Sequence, residues 1–202
     1  HTAARHGASA IALLARRGEL LDEVASELRE LGATVVTVTA DIRDEAALES
    51  AVTTIRDQTG RTEVLVNNAG GAPVGRAVDI DLDTWETVIE TNLTGTFLMS
   101  RIVARHAIAA GESPAMINIS SVLGLRVMSG VAAYASAKAG IVQLTKQLAI
   151  EWARYGIRVN AICPGYFPTE AEEFQREGAI EQMASRVPMR RLGKLSELDG
   201  PF

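Results

Sequence analysis

Apolar positions along the chain switch between two spacings. Short apolar or β-branched runs at Ser9–Leu14, Thr34–Val38, Val64–Val66, Ala115–Ile119 and Ile157–Ile162 predict strands. Between them a helical spacing predicts helices over Glu19–Leu31, Asp44–Gln58, about Asp83–Ala109, Tyr134–Arg154 and, with a weaker pattern, Glu170–Arg186. The first of these puts Leu20, Leu21, Val24, Leu28 and Leu31 on one face and stops at Gly32. The second puts Leu48, Ala51, Val52 and Ile55 inward. Asp83 or Thr84 is the expected cap of the long helix, with Glu86 as capping-box partner, and Gly156 closes the helix from Tyr134. Val64–Val66 reads as a buried strand, and His1–Gly7 as the tail of a helix. The regular alternation predicts an α/β fold: a doubly wound, Rossmann-like parallel sheet in three layers, α/β/α. With no repeat, low-complexity tract or linker, residues 1–202 read as a single domain.

Composition narrows the function. A net charge of −5 gives no general attraction to nucleic acid or to an anionic membrane. No apolar run approaches the roughly 20 residues of a membrane span. Cys163 is the only cysteine, which excludes an internal disulfide and fits a reducing, cytoplasmic setting. His1, His6 and His106 are scattered, and no Cys/His cluster predicts a metal.

Candidate chemistry starts at Tyr134 and Lys138, four residues apart and so on one helix face. A tyrosine hydroxyl titrates near 10 and is a poor base at neutral pH. A neighbouring ammonium favours the phenolate and lowers that value, giving a usable proton donor and acceptor. Ser121, the run Asn67–Gly70, and Pro164, Gly165 and Thr169 all follow strand ends, where ligands gather in open α/β sheets. Asn92 and Gly95 interrupt an otherwise good helix, a local inconsistency of the kind found at functional sites.

Val64-Leu65-Val66-Asn67-Asn68-Ala69-Gly70, Thr91-Asn92-Leu93-Thr94-Gly95, Ile119-Ser120-Ser121, Tyr134-Ala135-Ser136-Ala137-Lys138 and Pro164-Gly165-Tyr166-Phe167-Pro168-Thr169 resemble, in order and spacing, the short-chain dehydrogenase/reductase family. The likeness lies nearest the branch of 3-oxoacyl-[acyl-carrier-protein] reductases and gluconate 5-dehydrogenases. It implies an oxidoreductase that moves a hydride between a nicotinamide dinucleotide and an alcohol or carbonyl. By that resemblance Tyr134 is the general acid or base, Lys138 lowers its pKa and binds the nicotinamide ribose, and Ser121 bonds the substrate oxygen. Asn92 holds a water that links Lys138 to solvent. Asp41, followed by Ile42, matches the residue at the adenine ring. Asn68, Ala69 and Gly70 flank the adenosine, and Pro164, Gly165, Phe167 and Thr169 meet the nicotinamide end.

The strand Ser9–Leu14 runs into Ala15-Arg16-Arg17. An NAD site offers a carboxylate here to the ribose 2′-hydroxyl, and an NADP site offers arginine to the 2′-phosphate. Arg16 therefore favours NADP(H), with NAD(H) as the alternative. The resemblance also implies a first strand and glycine-rich turn ahead of His1, and a last strand beyond Phe202. Without that first strand the sheet is expected to carry a gap at its centre. A non-catalytic member or fragment with a binding or structural role is the competing reading; a sugar-nucleotide epimerase sharing the Tyr–Lys pair fits the motifs less well. Substrate choice is expected from the loop Leu123–Val131, where Leu125, Val127 and Met128 are partly apolar, and from the segment Pro168–Met189 as a lid. Relatives pair through the long helices, so a homodimer or homotetramer is expected, with Leu93, Phe97, Leu98, Leu144, Leu148 and Trp152 as core or interface residues.

Overall fold

The computed structural model describes residues 1–71, 73–168 and 178–201. The chain runs through α1 (Thr2–Arg5), β1 (Ala10–Ala15), α2 (Gly18–Glu30), β2 (Thr34–Thr39), α3 (Glu45–Thr59) and β3 (Val64–Asn67). It continues through α4 (Leu82–Ile89), α5 (Gly95–Ala110), β4 (Ala115–Ile119), α6 (Ala132–Trp152), β5 (Arg158–Ile162) and α7 (Ala179–Ser185). All strand pairs are parallel, β1 with β2 and β3 with β4 with β5. The sheet is split as expected: a two-stranded part, β1-β2, is not hydrogen-bonded to the three-stranded part, β3-β4-β5.

Helices cover both faces, and β1 makes the reason visible. Successive strand side chains point to opposite faces. Ile11 and Leu13 pack with Ala4, Ala25, Leu28 and Val35 in one cluster, built with α1 and α2. Leu14, the next residue, packs into a second cluster built on Leu48 and Val52 of α3, Ile102 of α5 and Leu148 of α6. A sheet between two such clusters is the three-layer fold.

Several expectations need correction. Val64 and Val66 are 57% and 44% exposed rather than buried, because β3 lies at the edge of its three-stranded sheet. On α2 only Leu21, Ala25 and Leu28 are buried, whereas Leu20, Val24 and Leu31 are more than a third exposed. A two-stranded sheet offers too narrow a face to cover a wider stripe. Ile55 on α3 is only half-buried. The long helix begins one residue early. Its cap is Asp81, whose carboxylate accepts the Thr84 amide at 2.7 Å, rather than Asp83 or Thr84 with Glu86. Leu82 therefore becomes the first helical residue. The helix is also broken at Glu90–Thr94 by one π-helical turn, where Asn92 sits. The single helix expected over Glu170–Arg186 is interrupted at Gly178, whose left-handed backbone (φ 71°) precedes a separate short helix, α7; residues 170–177 lie outside the described residues.

A buried polar strut joins the three-stranded sheet to its helices. The Asn67 side-chain amide donates to Ser100 Oγ on α5 and to Asn118 Oδ1 on β4, both at 2.8 Å. Asn118 in turn donates to Thr145 Oγ1 on α6 at 3.0 Å, and Thr145 donates to the Ile141 carbonyl at 2.8 Å. All four side chains are nearly inaccessible, so each needs these partners.

Candidate active site

The strand ends deliver the candidate residues to one side of the molecule, in a line that can be followed contact by contact. It starts where β1 and β2 finish side by side, Ala15 opposite Thr39. Arg16 is exposed just beyond β1. Asp41, just beyond β2, takes two N–H bonds from the Arg43 side chain and one from its backbone amide. Those bonds, with a lesser contribution from the charge of Arg16, hold the Asp41 carboxyl at about 2. Arg43 also reaches Glu90, 3.8 Å away, at the start of the π-turn. Ile42 packs on the same element: a side chain at Gly95 would collide with it, its Cβ 2.6 Å from Ile42 Cγ1.

The π-turn explains the misfit residue. An inserted residue in a helix turns a side chain away from the regular face, and here it aims Asn92 at the loop after β3. The Asn92 amide donates to the Gly71 carbonyl at 2.8 Å and to the Val88 carbonyl at 2.9 Å, and its oxygen accepts the Gly71 N–H at 3.1 Å. This two-point grip fixes the loop against Lys138. A Cβ at Gly70 would stand 2.5 Å from Asn92 Oδ1 and 3.2 Å from Lys138 Nζ, so the chain can come this close only as glycine. Asn68 and Ala69 are exposed just before it.

Lys138 is 3% exposed and donates to the Ile119 carbonyl at 2.9 Å. Its Nζ lies 5.4 Å from the centre of the Tyr134 ring, one helical turn earlier on α6. Desolvation pulls the Lys138 ammonium down to about 8. The turn after β4 is laid over the same stretch of α6: Ser120 Oγ donates to the Lys138 carbonyl at 2.7 Å. Ser121 Oγ caps that turn by accepting the Leu123 amide at 3.1 Å, and among the described residues its own proton meets no acceptor. The Val122 amide donates to the Pro164 carbonyl at 2.8 Å, tying the loop after β5 to the Ser121 turn. Phe167 lies against Gly193. Thr169 lies outside the described residues.

The arrangement thus brings Asn92, Gly70, Lys138 and Tyr134 into one cluster, with Ser121 and Pro164 on the adjoining loops. Arg16, Asp41 and Ile42 sit at the other end of the line. Arg43 escaped the sequence reading, although an arginine two residues after an acid in a strand-end loop is a visible signal. Among the described residues no group of His, Cys, Asp and Glu could hold a metal, and no helix is long and apolar enough to cross a membrane.

The buried lysine carries a pH signature. A folded-state pKa near 8 against 10.5 unfolded means that between these values the folded protein has lost a proton the unfolded chain still holds. Stability from this group therefore rises with pH across that window. We predict that wild type gains up to about 3 kcal/mol relative to Lys138→Met between pH 8 and pH 10.5. Denaturant melts of both proteins across that range check it; a constant difference would mean that Lys138 titrates normally.

The model of the short-chain dehydrogenase family matches residues 1–179. The chain belongs to the short-chain dehydrogenase family. It is an NAD(P)-dependent oxidoreductase of the class acting on CH–OH groups. This short-chain dehydrogenase is 40% identical over 200 residues to oxidoreductase UcpA of Escherichia coli K12, covering 95% of the chain and 75% of the relative. It is 37% identical over 202 residues to cis-4-hydroxycyclohexanecarboxylate dehydrogenase of Sinomonas cyclohexanicum, covering 95% of the chain and 81% of the relative. Among solved structures, gluconate 5-dehydrogenase of Burkholderia cenocepacia J2315 in complex with NADP and tartrate superposes with a TM-score of 0.91 at 32% identity, covering 99% of this chain and 78% of that one.

Proposed function

We propose that this dehydrogenase interconverts an alcohol and its ketone with Tyr134 as the proton donor and acceptor. The observation that carries this is the buried Lys138 ammonium 5.4 Å from the Tyr134 ring, held by the Ile119 carbonyl at 2.9 Å. In reduction the Tyr134 hydroxyl gives its proton to the carbonyl oxygen; in oxidation its phenolate takes the alcohol proton. Ser121 donates to that same oxygen and steadies its developing charge. Lys138 favours the phenolate through its positive charge. Asn92 holds the Gly70-Gly71 loop and a water linking Lys138 to solvent.

A nicotinamide dinucleotide, when bound, supplies or accepts the hydride. The donor set fits it: an ammonium has three N–H groups, and Lys138 spends one on Ile119, so ribose hydroxyls can take the others. Gly70 is exposed beside Lys138, which leaves its backbone open to such a ligand. Asn68, Ala69 and Gly70 would border the adenosine, Asp41 and Ile42 the adenine, and Pro164, Gly165, Phe167 and Thr169 the nicotinamide. Arg16 would meet the 2′-phosphate, and so NADP(H) is preferred.

Carbonyl reduction with NADPH and with NADH tests both parts. The kcat/KM ratio should favour NADPH, and Arg16→Ala should lower it by about 10–100-fold by removing a charged hydrogen bond. An unchanged ratio would move the phosphate site elsewhere, with Arg43 the next candidate.

The assembly proposed is a homodimer or homotetramer. A groove of about 430 Å³ between α5 and α6, lined by Leu93, Phe97 and Leu144, is apolar and open. Leu98 and Leu148, by contrast, are core residues. The action on a small-molecule substrate, in the cytoplasm, completes the reading.

A further inference from the structure

Three segments, two of them loops that lead out of the proposed active site, meet on one sulfur atom. Met128, from the loop after β4, receives the Tyr166 hydroxyl at 3.5 Å. Arg186, at the end of α7, brings Nη1 to 3.6 Å from the same Sδ. Tyr166 stands two residues beyond Pro164, whose carbonyl holds the Val122 amide next to Ser121. The cluster is therefore tied to the loop that carries Ser121.

The pairing is chemically poor. A phenol and a guanidinium are strong donors, whereas a thioether is a weak acceptor. Arg186 is exposed and has no ion-pair partner among the described residues, while Arg191 nearby is paired with Glu197 at 2.7 Å. Two strong donors converging on a weak acceptor will exchange it for a better one. A carboxylate is that acceptor: it takes a guanidinium N–H pair and a hydroxyl together, in charge-assisted bonds. Methionine, unbranched and flexible, can withdraw its sulfur and lay its chain against an apolar skeleton instead.

We infer that Arg186 and Tyr166 form a carboxylate anchor, and that the substrate is a hydroxy acid or oxo acid. The acid group binds between the two donors, and the reacting carbon lies toward Ser121 and Tyr134. This rests on the proposed active site and adds the substrate class to it. Cis-4-hydroxycyclohexanecarboxylate and gluconate, in the names of the two relatives above, are both hydroxy acids.

The test compares an acid with its neutral twin. Calorimetry on the cofactor-bound enzyme gives dissociation constants for cyclohexanecarboxylate and cyclohexanecarboxamide, which needs no turnover. Wild type should bind the acid at least about tenfold more tightly. Arg186→Met should erase that preference and leave the amide unchanged, and Arg186→Lys should keep part of it. Tyr166→Phe should weaken the acid by a smaller factor. Equal affinity for acid and amide in wild type, no binding of the acid, or a preference that survives in Arg186→Met overturns the anchor. In kinetics, cis-4-hydroxycyclohexanecarboxylate should lose KM rather than kcat in Arg186→Met, with 4-methylcyclohexanol unaffected. Failure of the parent reading looks different: wild type would then turn over neither alcohol, whatever the binding data say.

Discussion

Tyr134→Phe is expected to lose about 10²–10⁴-fold in kcat, the range for removing a general acid or base. The protein should stay folded. Phenylalanine keeps the ring over which Lys138 Nζ sits at 5.4 Å, and Tyr134 is only half-buried. What disappears is the hydroxyl that would exchange a proton with the substrate oxygen. Lys138 does not substitute for it in this scheme, because its Nζ donates to the Ile119 carbonyl, sits over the ring face and turns its remaining N–H groups to the ribose. The measurement is kcat for ketone reduction with NADPH, alongside a thermal melt and the cofactor dissociation constant. Lost turnover with the other two unchanged supports the assignment. A variant that keeps its full rate would sink the mechanism.

Gly70→Ala should be nearly as harmful, for a different reason. The added methyl would stand 2.5 Å from Asn92 Oδ1, 3.3 Å from Asn92 Cγ and 3.2 Å from Lys138 Nζ. Asn92 cannot step back, being fully buried and held by Val88 and by both backbone groups of Gly71. The loop or Lys138 must move instead. Overpacking of this kind costs about 1–3 kcal/mol. A shift of the ammonium by a fraction of an ångström also spoils its alignment with Tyr134 and with the ribose. Both a lower denaturation midpoint and a lower kcat/KM are expected. Gly165→Ala is the control for stability, since nothing lies within 4 Å of its Cβ. Equal melts for the two variants would show that the Gly70 contact is softer than argued.

Much of this was legible in the sequence, and the failures follow a pattern. Strand and helix order, the split sheet, and the meeting of Asn92, Gly70, Tyr134 and Lys138 all follow from spacing, motif and family resemblance. The exact cap was missed because Asp81, Asp83 and Thr84 are all competent caps, and only the direction in which the chain arrives chooses Asp81. The exposure of Val64 and Val66 was missed because composition describes a residue, whereas burial depends on whether a neighbouring strand covers it. The polar strut could have been suspected: Asn67 and Asn118 are poor strand residues inside apolar runs, and a buried amide demands partners. Its partners Ser100 and Thr145 could not have been named, because each lies on a helix far away in sequence. The meeting of Met128, Tyr166 and Arg186 was invisible for the same reason.

The strut has a mechanical meaning. Asn67, Asn118 and Thr145 lock β3, β4 and α6 by bonds that are directional and shielded from water. Sheet and α6 must therefore travel as one stiff plate, with Tyr134 and Lys138 riding on it. Adjusting to a substrate of different size then falls to the loops that carry Met128 and Tyr166. Exchange of specificity between related enzymes should accordingly need changes in those loops and at Arg186 after α7, while the plate that bears the chemistry passes through unaltered.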